Sequence, residues 1–236
     1  MPGTTTFFAA KPVAFHIFNR GQDESVAQQR ARMVQEQLRA RGIRDERVLA
    51  AMAKVPREAF VAPEGGATAY GDFPLPIGAG QTISQPYIVA AMLEILDLQS
   101  GDRALEVGTG TGYEAAIMGE LVAEVWTIER HAELADKARK ILAQLGYANV
   151  HVVQGDGSRG LPEHAPFNKI LIAAAAPQIP QVLVEQLSDG GRLVVPVGSR
   201  DEQQLQLVRR RGDQIAVSAR ELCRFVPLIG EAGWEA

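Results

Sequence analysis

The chain has 236 residues, 46% of them hydrophobic and 22% charged, with a formal net charge of −4. This composition is ordinary for a globular protein, and its mildly acidic balance argues against a nucleic-acid partner, which needs a basic face. The single cysteine, Cys223, excludes an intrachain disulfide and a cysteine metal cluster, and no apolar run approaches the length of a membrane-spanning helix.

Residues 1–22 read as an N-terminal arm, with Phe7, Phe8, Phe15 and Phe18 and only Lys11 and Arg20 charged. Lys11 and Pro12 interrupt the apolar run, so the arm is not read as a secretory signal. Residues 23–41 carry Val26, Met33, Val34 and Leu38 near helical spacing, with Gly42 placed for a C-terminal cap. Asp45 is a cap for a second helix bearing Val48, Leu49, Met52 and Val55, stopped by Pro56. Residues 61–82, rich in glycine and proline, are expected to be irregular, and 85–98 to be a helix. Strand and helix patterns then alternate: strand 103–107, helix 112–122, strand 124–129, helix 131–145, strands 150–154 and 169–175, helix 179–187, strand 191–197. Such alternation predicts an α/β fold with a mostly parallel sheet and helices on both faces. Residues 203–210 and 214–220 flank Gly212-Asp213, a hairpin signal that makes the far edge antiparallel. Arg209-Arg210-Arg211 reads as the solvated end of a strand. Residues 23–236 are taken as one domain: 23–99 a helical cap and substrate segment, 100–236 a Rossmann-like core.

The most informative stretch runs from Leu105 to Tyr113, a buried strand entering the turn Gly108-Thr109-Gly110-Thr111-Gly112. Closely spaced glycines let a backbone turn sharply and approach a ligand, and the helix behind presents free N–H groups. Alone the pattern is weak, because its third glycine arrives one residue early for the dinucleotide fingerprint. Context strengthens it. Glu129, followed by Arg130, ends the next strand, where a carboxylate can hold a ribose diol; its alternative is a solvated loop charge. Gly155-Asp156-Gly157 ends the third strand, placing Asp156 and Gly157 beside an adenine ring; taken singly, an ordinary Gly-Asp turn explains it better. Three strand ends in succession, each carrying glycine or acid, point to a ligand outside the carboxyl edge of the sheet. A dehydrogenase would bind NAD there, and a methyltransferase S-adenosylmethionine; the spacing, with Glu106 just before it, favours the methyl donor. His16, His131, His151 and His164 lack metal-ligand spacing, so no metal is expected.

More specific segments accompany the turn. They include Pro74-Leu75-Pro76-Ile77-Gly78, Gln81-Thr82-Ile83-Ser84-Gln85-Pro86, Ala174-Ala175-Ala176-Pro177, the run Gly190 to Gly198, and Phe225-Val226-Pro227-Leu228. From about Arg32 to Trp234 the chain resembles the protein-L-isoaspartate O-methyltransferase family, a Rossmann-like class I S-adenosylmethionine-dependent fold. The resemblance implies methyl transfer from S-adenosylmethionine to the α-carboxylate of isoaspartyl residues in damaged proteins and peptides, leaving S-adenosylhomocysteine. The ester then loses methanol to a succinimide that reopens partly as aspartate. It also implies that Ser84 is the active-site hydroxyl, that Gln81, Thr82, Ile83 and Ser84 line the donor pocket with Glu106, Gly108, Thr109, Gly110 and Gly112, and that Glu129, Arg130, Asp156 and Gly157 complete it. From position alone Ser84 would serve as a helix N-cap. Tyr70 and Asp72 are candidates for a lid, or for plain loop packing.

The chain departs from the family at Asn168 and Lys169, where an aspartate and a small or apolar residue are usual, and at Ala173. All three are expected near the ligand edge, where they bear on substrate preference and turnover. A related carboxyl methyltransferase with another substrate, or a donor-binding sensor using the phenylalanine-rich arm, are alternatives. A dehydrogenase would need a catalytic His or Lys near a nicotinamide, and none stands out. A cytoplasmic location is expected, without nucleic-acid or membrane partners; oligomeric state is left open, with a monomer favoured.

Overall fold

The computed structural model describes residues 24–62, 66 and 68–235; the expected arm, 1–22, lies outside the described residues. Ser25 and Gln28 form a reciprocal capping box that starts α1 (Val26–Arg32). The helix continues through a π-helical stretch, Met33–Leu38, and a 3₁₀ turn, Arg39–Arg41, before stopping at Gly42. Met33, Val34 and Leu38 are the side chains it buries. Asp45 caps α2 (Glu46–Lys54) by accepting from the Arg47 N–H.

The stretch expected to be irregular contains a two-stranded hairpin, β1 (Leu75–Gly78) and β2 (Gln81–Ile83). Leu75 and Ile77 point inward while Pro76 and Gly78 are exposed, the period-two pattern of a strand. Its turn places Ala79 (φ 51°) and Gly80 (φ 70°) in the left-handed region, the conformation of the primed hairpin turns. Alanine at that position is an unusual choice, which hides the hairpin from a reading based on turn residues. α3 (Pro86–Leu96) follows, with proline in its first turn.

The main sheet holds β3 (Arg103–Val107), β4 (Glu124–Glu129), β5 (Val150–Gln154), β6 (Phe167–Ile172), β7 (Leu187–Gly198), β8 (Gln203–Arg211) and β9 (Gln214–Cys223). Their order is β5-β4-β3-β6-β7-β8-β9, parallel through β7 and antiparallel for β8 and β9. The helices α4 (Tyr113–Leu121), α5 (Ala132–Gln144) and α6 (Gln181–Glu185) are the crossovers. Residues alternate between the sheet faces. Ala104, Val125, Leu171 and Val194 join a core with α2, α3 and α4, while Leu105, Ile128, Ile170 and Leu193 join a second core with α6. β6 ends at Ile172 instead of 175 because the chain then leaves the ladder: Ala175 bridges Pro227 and Ala176 bridges Val197. β7 begins at Leu187, earlier than expected, and a register shift between Leu187 and Arg192 absorbs Gly190 and Gly191.

β3, the first strand of the main sheet in chain order, lies third in the sheet. β4 and β5 build outward on one side of it, β6 and β7 on the other, so the order reverses between β3 and β6. Open α/β sheets bind ligands at the carboxyl side of such a switch point. One expectation is corrected here. Asn168 and Lys169 lie at the start of β6, with Lys169 level with Ala104 near the opposite end of the sheet from that edge. Asn168 accepts from the Arg103 N–H at 2.8 Å. The Lys169 ammonium donates to the carbonyls of Leu96 (2.9 Å) and Asp97 (2.7 Å), satisfying the C-terminal end of α3. These two departures serve the scaffold; Ala173 alone stands at the ligand edge.

Candidate active site

The site grows from the turn after β3. Gly108, Gly110 and Gly112 have φ of 99°, 54° and 96°, values that disfavour any residue with a Cβ. The Gly108 and Thr109 N–H groups donate to the Ile128 carbonyl at 2.9 and 3.2 Å, pinning the turn to β4. Glu129, buried at the tip of β4, clamps it from the other side: one carboxylate oxygen accepts from the Gly110 N–H and the other from the His131 N–H, both at 2.9 Å. A carboxylate has room for about four donors, so each oxygen keeps acceptor capacity. Gly112 lies behind the turn, where an added Cβ would come within 3.2 Å of Leu142, and so sets the packing of α4 on α5.

Three cavities open around this turn. The first, about 540 Å³, is lined by Gln81, Thr82, Gly108, Gly110, Glu129, Arg130, His131 and Gly157, with Val226 to Ile229 opposite. A Cβ on Gly157 would fall 2.6 Å from both Ile128 and Val107, so only glycine permits this wall. The second, about 370 Å³, runs beneath the turn and is lined by Ile83, Ser84, Glu106, Thr109, Thr111, Tyr113 and Glu114. The third is a groove of about 1120 Å³ between the cap and the far end of the sheet, lined by Arg41, Ser84, Gln85, Tyr87 and the segment Glu221 to Val226. Thr82 and Ala173 line all three cavities, so the three meet there.

Ser84 faces the second cavity and the groove. It is not a helix cap. The N-cap of α3 is Gln85, and no side chain caps that end. The Ser84 carbonyl is held by the guanidinium of Arg57 at 2.8 Å. Arg57 is fully buried, donates also to the Ala69 carbonyl at 2.7 Å, and lies 4.8 Å from the centre of the Tyr113 ring. It ties together the exit of β2, the loop before β1 and the start of α4.

The polar atoms of the second cavity are unusual. Glu106 is fully buried; one oxygen accepts from the Thr127 hydroxyl, itself 2.6 Å from the Thr109 hydroxyl. The other oxygen of Glu106, one oxygen of Glu114 and the hydroxyl of Thr111 are buried without a partner. Such groups are costly unless something pairs with them.

Asp156 stands beside the first cavity, in an adjoining pocket that shares Arg130 and Ile229 with it. Its carboxylate accepts from the Ser158 N–H and hydroxyl and from the Glu231 N–H. Burial opposes ionisation of Asp156, but these bonds hold its carboxyl below the usual range. Tyr70 and Asp72 line none of the three cavities. Tyr70 is bonded between Arg30 and Glu58, and Asp72 pairs with Arg41 at 2.6 Å, so both brace the loop from behind. Among the described residues no group of His, Cys, Asp and Glu is placed to hold a metal, and no helix is long and apolar enough to cross a membrane.

Sequence reasoning missed Glu114, Arg57, His131 and the lining by Val226 to Ile229. Glu114 left one trace, an acid inside the apolar run Tyr113 to Met118.

The strand order, the switch point at β3 and the glycine turn feeding α4 define a Rossmann-like class I methyltransferase, the S-adenosylmethionine-dependent class. Comparison narrows this. The model of the protein-L-isoaspartate(D-aspartate) O-methyltransferase family matches residues 28–233. A protein-L-isoaspartate O-methyltransferase of Koribacter versatilis is 58% identical over 205 residues, 87% of this chain and 92% of the relative. Another, of Methanoculleus marisnigri, is 54% identical over 208 residues, 88% and 94% of the two chains. Among solved structures, a protein-L-isoaspartate O-methyltransferase superposes with a TM-score of 0.77 at 29% identity, covering 86% of this chain and 67% of that one. A putative one from Plasmodium falciparum, in complex with S-adenosyl-L-homocysteine, gives 0.75 at 25% identity, covering 85% and 98%. The chain belongs to the protein-L-isoaspartate(D-aspartate) O-methyltransferase family.

Proposed function

We propose that the chain methylates the α-carboxylate of isoaspartyl residues in damaged proteins and peptides, with S-adenosylmethionine as donor and S-adenosylhomocysteine as product. One observation carries the reading: a cleft at the tips of the strands, a polar cavity and an open groove meet at Thr82 and Ala173, beside Ser84.

The residues fit the donor. The spare acceptor capacity of Glu129 suits a ribose diol, and the bare wall at Gly157 admits a flat ring, with Asp156 behind it. Gln81, Thr82 and Ile83 close the other side; Gly108, Thr109, Gly110, Gly112 and Arg130 shape the turn and its flank. The unpartnered oxygen of Glu106 suits the donor's positive charge. When bound, S-adenosylmethionine supplies a sulfonium methyl, an electrophile needing no activation.

The remaining work belongs to the chain. A carboxylate is already ionised at neutral pH, so no general base is required. Ser84 donates a hydrogen bond to one substrate carboxylate oxygen and turns the other toward the Thr82–Ala173 junction. Arg57, by gripping the Ser84 carbonyl, fixes where that hydroxyl stands. Alignment of this kind supplies on the order of 7–11 kcal/mol of a barrier. The wide groove accepts a peptide chain, and Arg41, Glu221 and Arg224 on its walls choose among flanking residues. In this reading residues 23–99 form the cap and substrate segment, and 100–236 the donor-binding core. In this reading the enzyme works in the cytoplasm, as a monomer.

Two peptides differing only in aspartyl or isoaspartyl linkage, incubated with methyl-labelled donor, test the proposal. Base-labile label is expected on the isoaspartyl peptide alone. Equal labelling of both points to a broader carboxyl methyltransferase, and none on either, with donor bound, to a sensor.

A further inference from the structure

The second cavity presents three unpartnered acceptors: an oxygen of Glu106, an oxygen of Glu114 and the Thr111 hydroxyl. Two of them belong to buried carboxyl groups, and among the described residues no cation pairs with either. The buried guanidinium of Arg57 gives its Nε and one Nη to two carbonyls and lies over the Tyr113 ring, and it forms no ion pair with either carboxyl. A primary ammonium has three donors and one positive charge, matching the three acceptors in number and supplying the missing countercharge. On the donor reading given above, the amino-acid end of the donor carries that group.

We infer that Glu114, facing the same cavity as Glu106, is the counter-ion of the donor's ammonium, and that it surrenders its proton as the ammonium enters. The proton passes to solvent, and no covalent bond changes. Burial pushes the Glu114 carboxyl up to about 8. Burial, then the charge of Glu114, then that of Glu129 push Glu106 well above the carboxylate range, against the pull of its bond from Thr127. Without ligand at neutral pH, burial therefore favours the protonated form at both carboxyls, as it must for buried acids that nothing pairs with. An arriving cation reverses that preference, because opposite charges in a dry cavity favour the ionised form. Donor affinity then depends on pH through a residue that touches neither the methyl group nor the substrate.

Calorimetry on the full chain tests this with two nucleosides. S-adenosylhomocysteine carries the ammonium; 5′-methylthioadenosine keeps the nucleoside and sulfur but lacks the amino-acid end. Each is titrated at pH 7 in phosphate and in Tris, buffers of different ionisation enthalpy. The expected result is a buffer-dependent enthalpy for S-adenosylhomocysteine alone, reporting release of about one proton, with affinity tightening about tenfold for each unit the pH rises toward 8. In Glu114→Gln the buffer dependence disappears and S-adenosylhomocysteine weakens, while 5′-methylthioadenosine binds as before. Binding of both nucleosides with no proton release, or undiminished release in Glu114→Gln, overturns the inference and leaves the donor site standing. Failure of both to bind would remove the donor site itself. The wild-type comparison decides the matter even if the variant does not fold.

Discussion

Glu129 is the residue whose replacement reads out the turn and the ligand together. Its two oxygens each accept one backbone N–H at 2.9 Å, from Gly110 and His131. In Glu129→Gln one oxygen becomes an NH₂ group, so one of those N–H groups faces a donor. An orphaned donor costs about 1–3 kcal/mol, and the surviving bond loses its charge assistance, which makes such bonds roughly twice as strong as neutral ones. A loss of about 2–3 kcal/mol in unfolding free energy follows, visible as a lowered urea midpoint or a melting temperature lower by about 4–10 °C. The ribose diol loses a charged acceptor as well, worth about 1.5–3 kcal/mol, or roughly tenfold to 150-fold in Kd for S-adenosylhomocysteine. Chemical unfolding followed by circular dichroism and calorimetric titration of the same preparation give both numbers. Reduced stability with unchanged affinity would restrict Glu129 to holding the turn. Unchanged values of both would refute the clamp.

Ser84→Ala is expected to leave S-adenosylhomocysteine affinity within about twofold and to lower kcat by roughly tenfold to a hundredfold, the worth of one hydrogen bond to an anion; wild-type turnover would make the hydroxyl a bystander. Lys169→Met should separate scaffold from site. Two carbonyls at the end of α3 lose their donor, so stability should fall by about 1–3 kcal/mol while kcat/KM for an isoaspartyl peptide stays at the wild-type value. A selective drop in kcat/KM would return Lys169 to the ligand edge.

The strand-turn-helix from Arg103 to Leu121 was legible because an apolar strand, closely spaced glycines and an apolar helix follow one another without interruption. The parallel direction of β3 to β7 followed from the alternation of periods, and the β8–β9 hairpin from Gly212-Asp213. The β1–β2 hairpin was hidden by Pro74 and Pro76 and by Ala79 in a turn position that asparagine or glycine usually marks. Glu114 and Arg57 were hidden for another reason. A charge in sequence reads as a solvated charge, and only tertiary packing reveals that both are buried. Lys169 shows the limit of placing a residue by its nearness to a functional strand. Its backbone belongs to β6, but its ammonium caps a helix at the other end of the sheet.

A crystal structure of the ternary complex with S-adenosylhomocysteine and an isoaspartyl peptide tests most directly where donor and acceptor meet. The expected result has the adenine against Gly157, the ribose on Glu129, and the sulfur facing the peptide's α-carboxylate between Thr82 and Ala173, with that carboxylate in hydrogen-bond reach of the Ser84 hydroxyl. A nucleoside bound elsewhere, or a carboxylate lying beyond reach of Ser84 on the far wall of the groove, would contradict it.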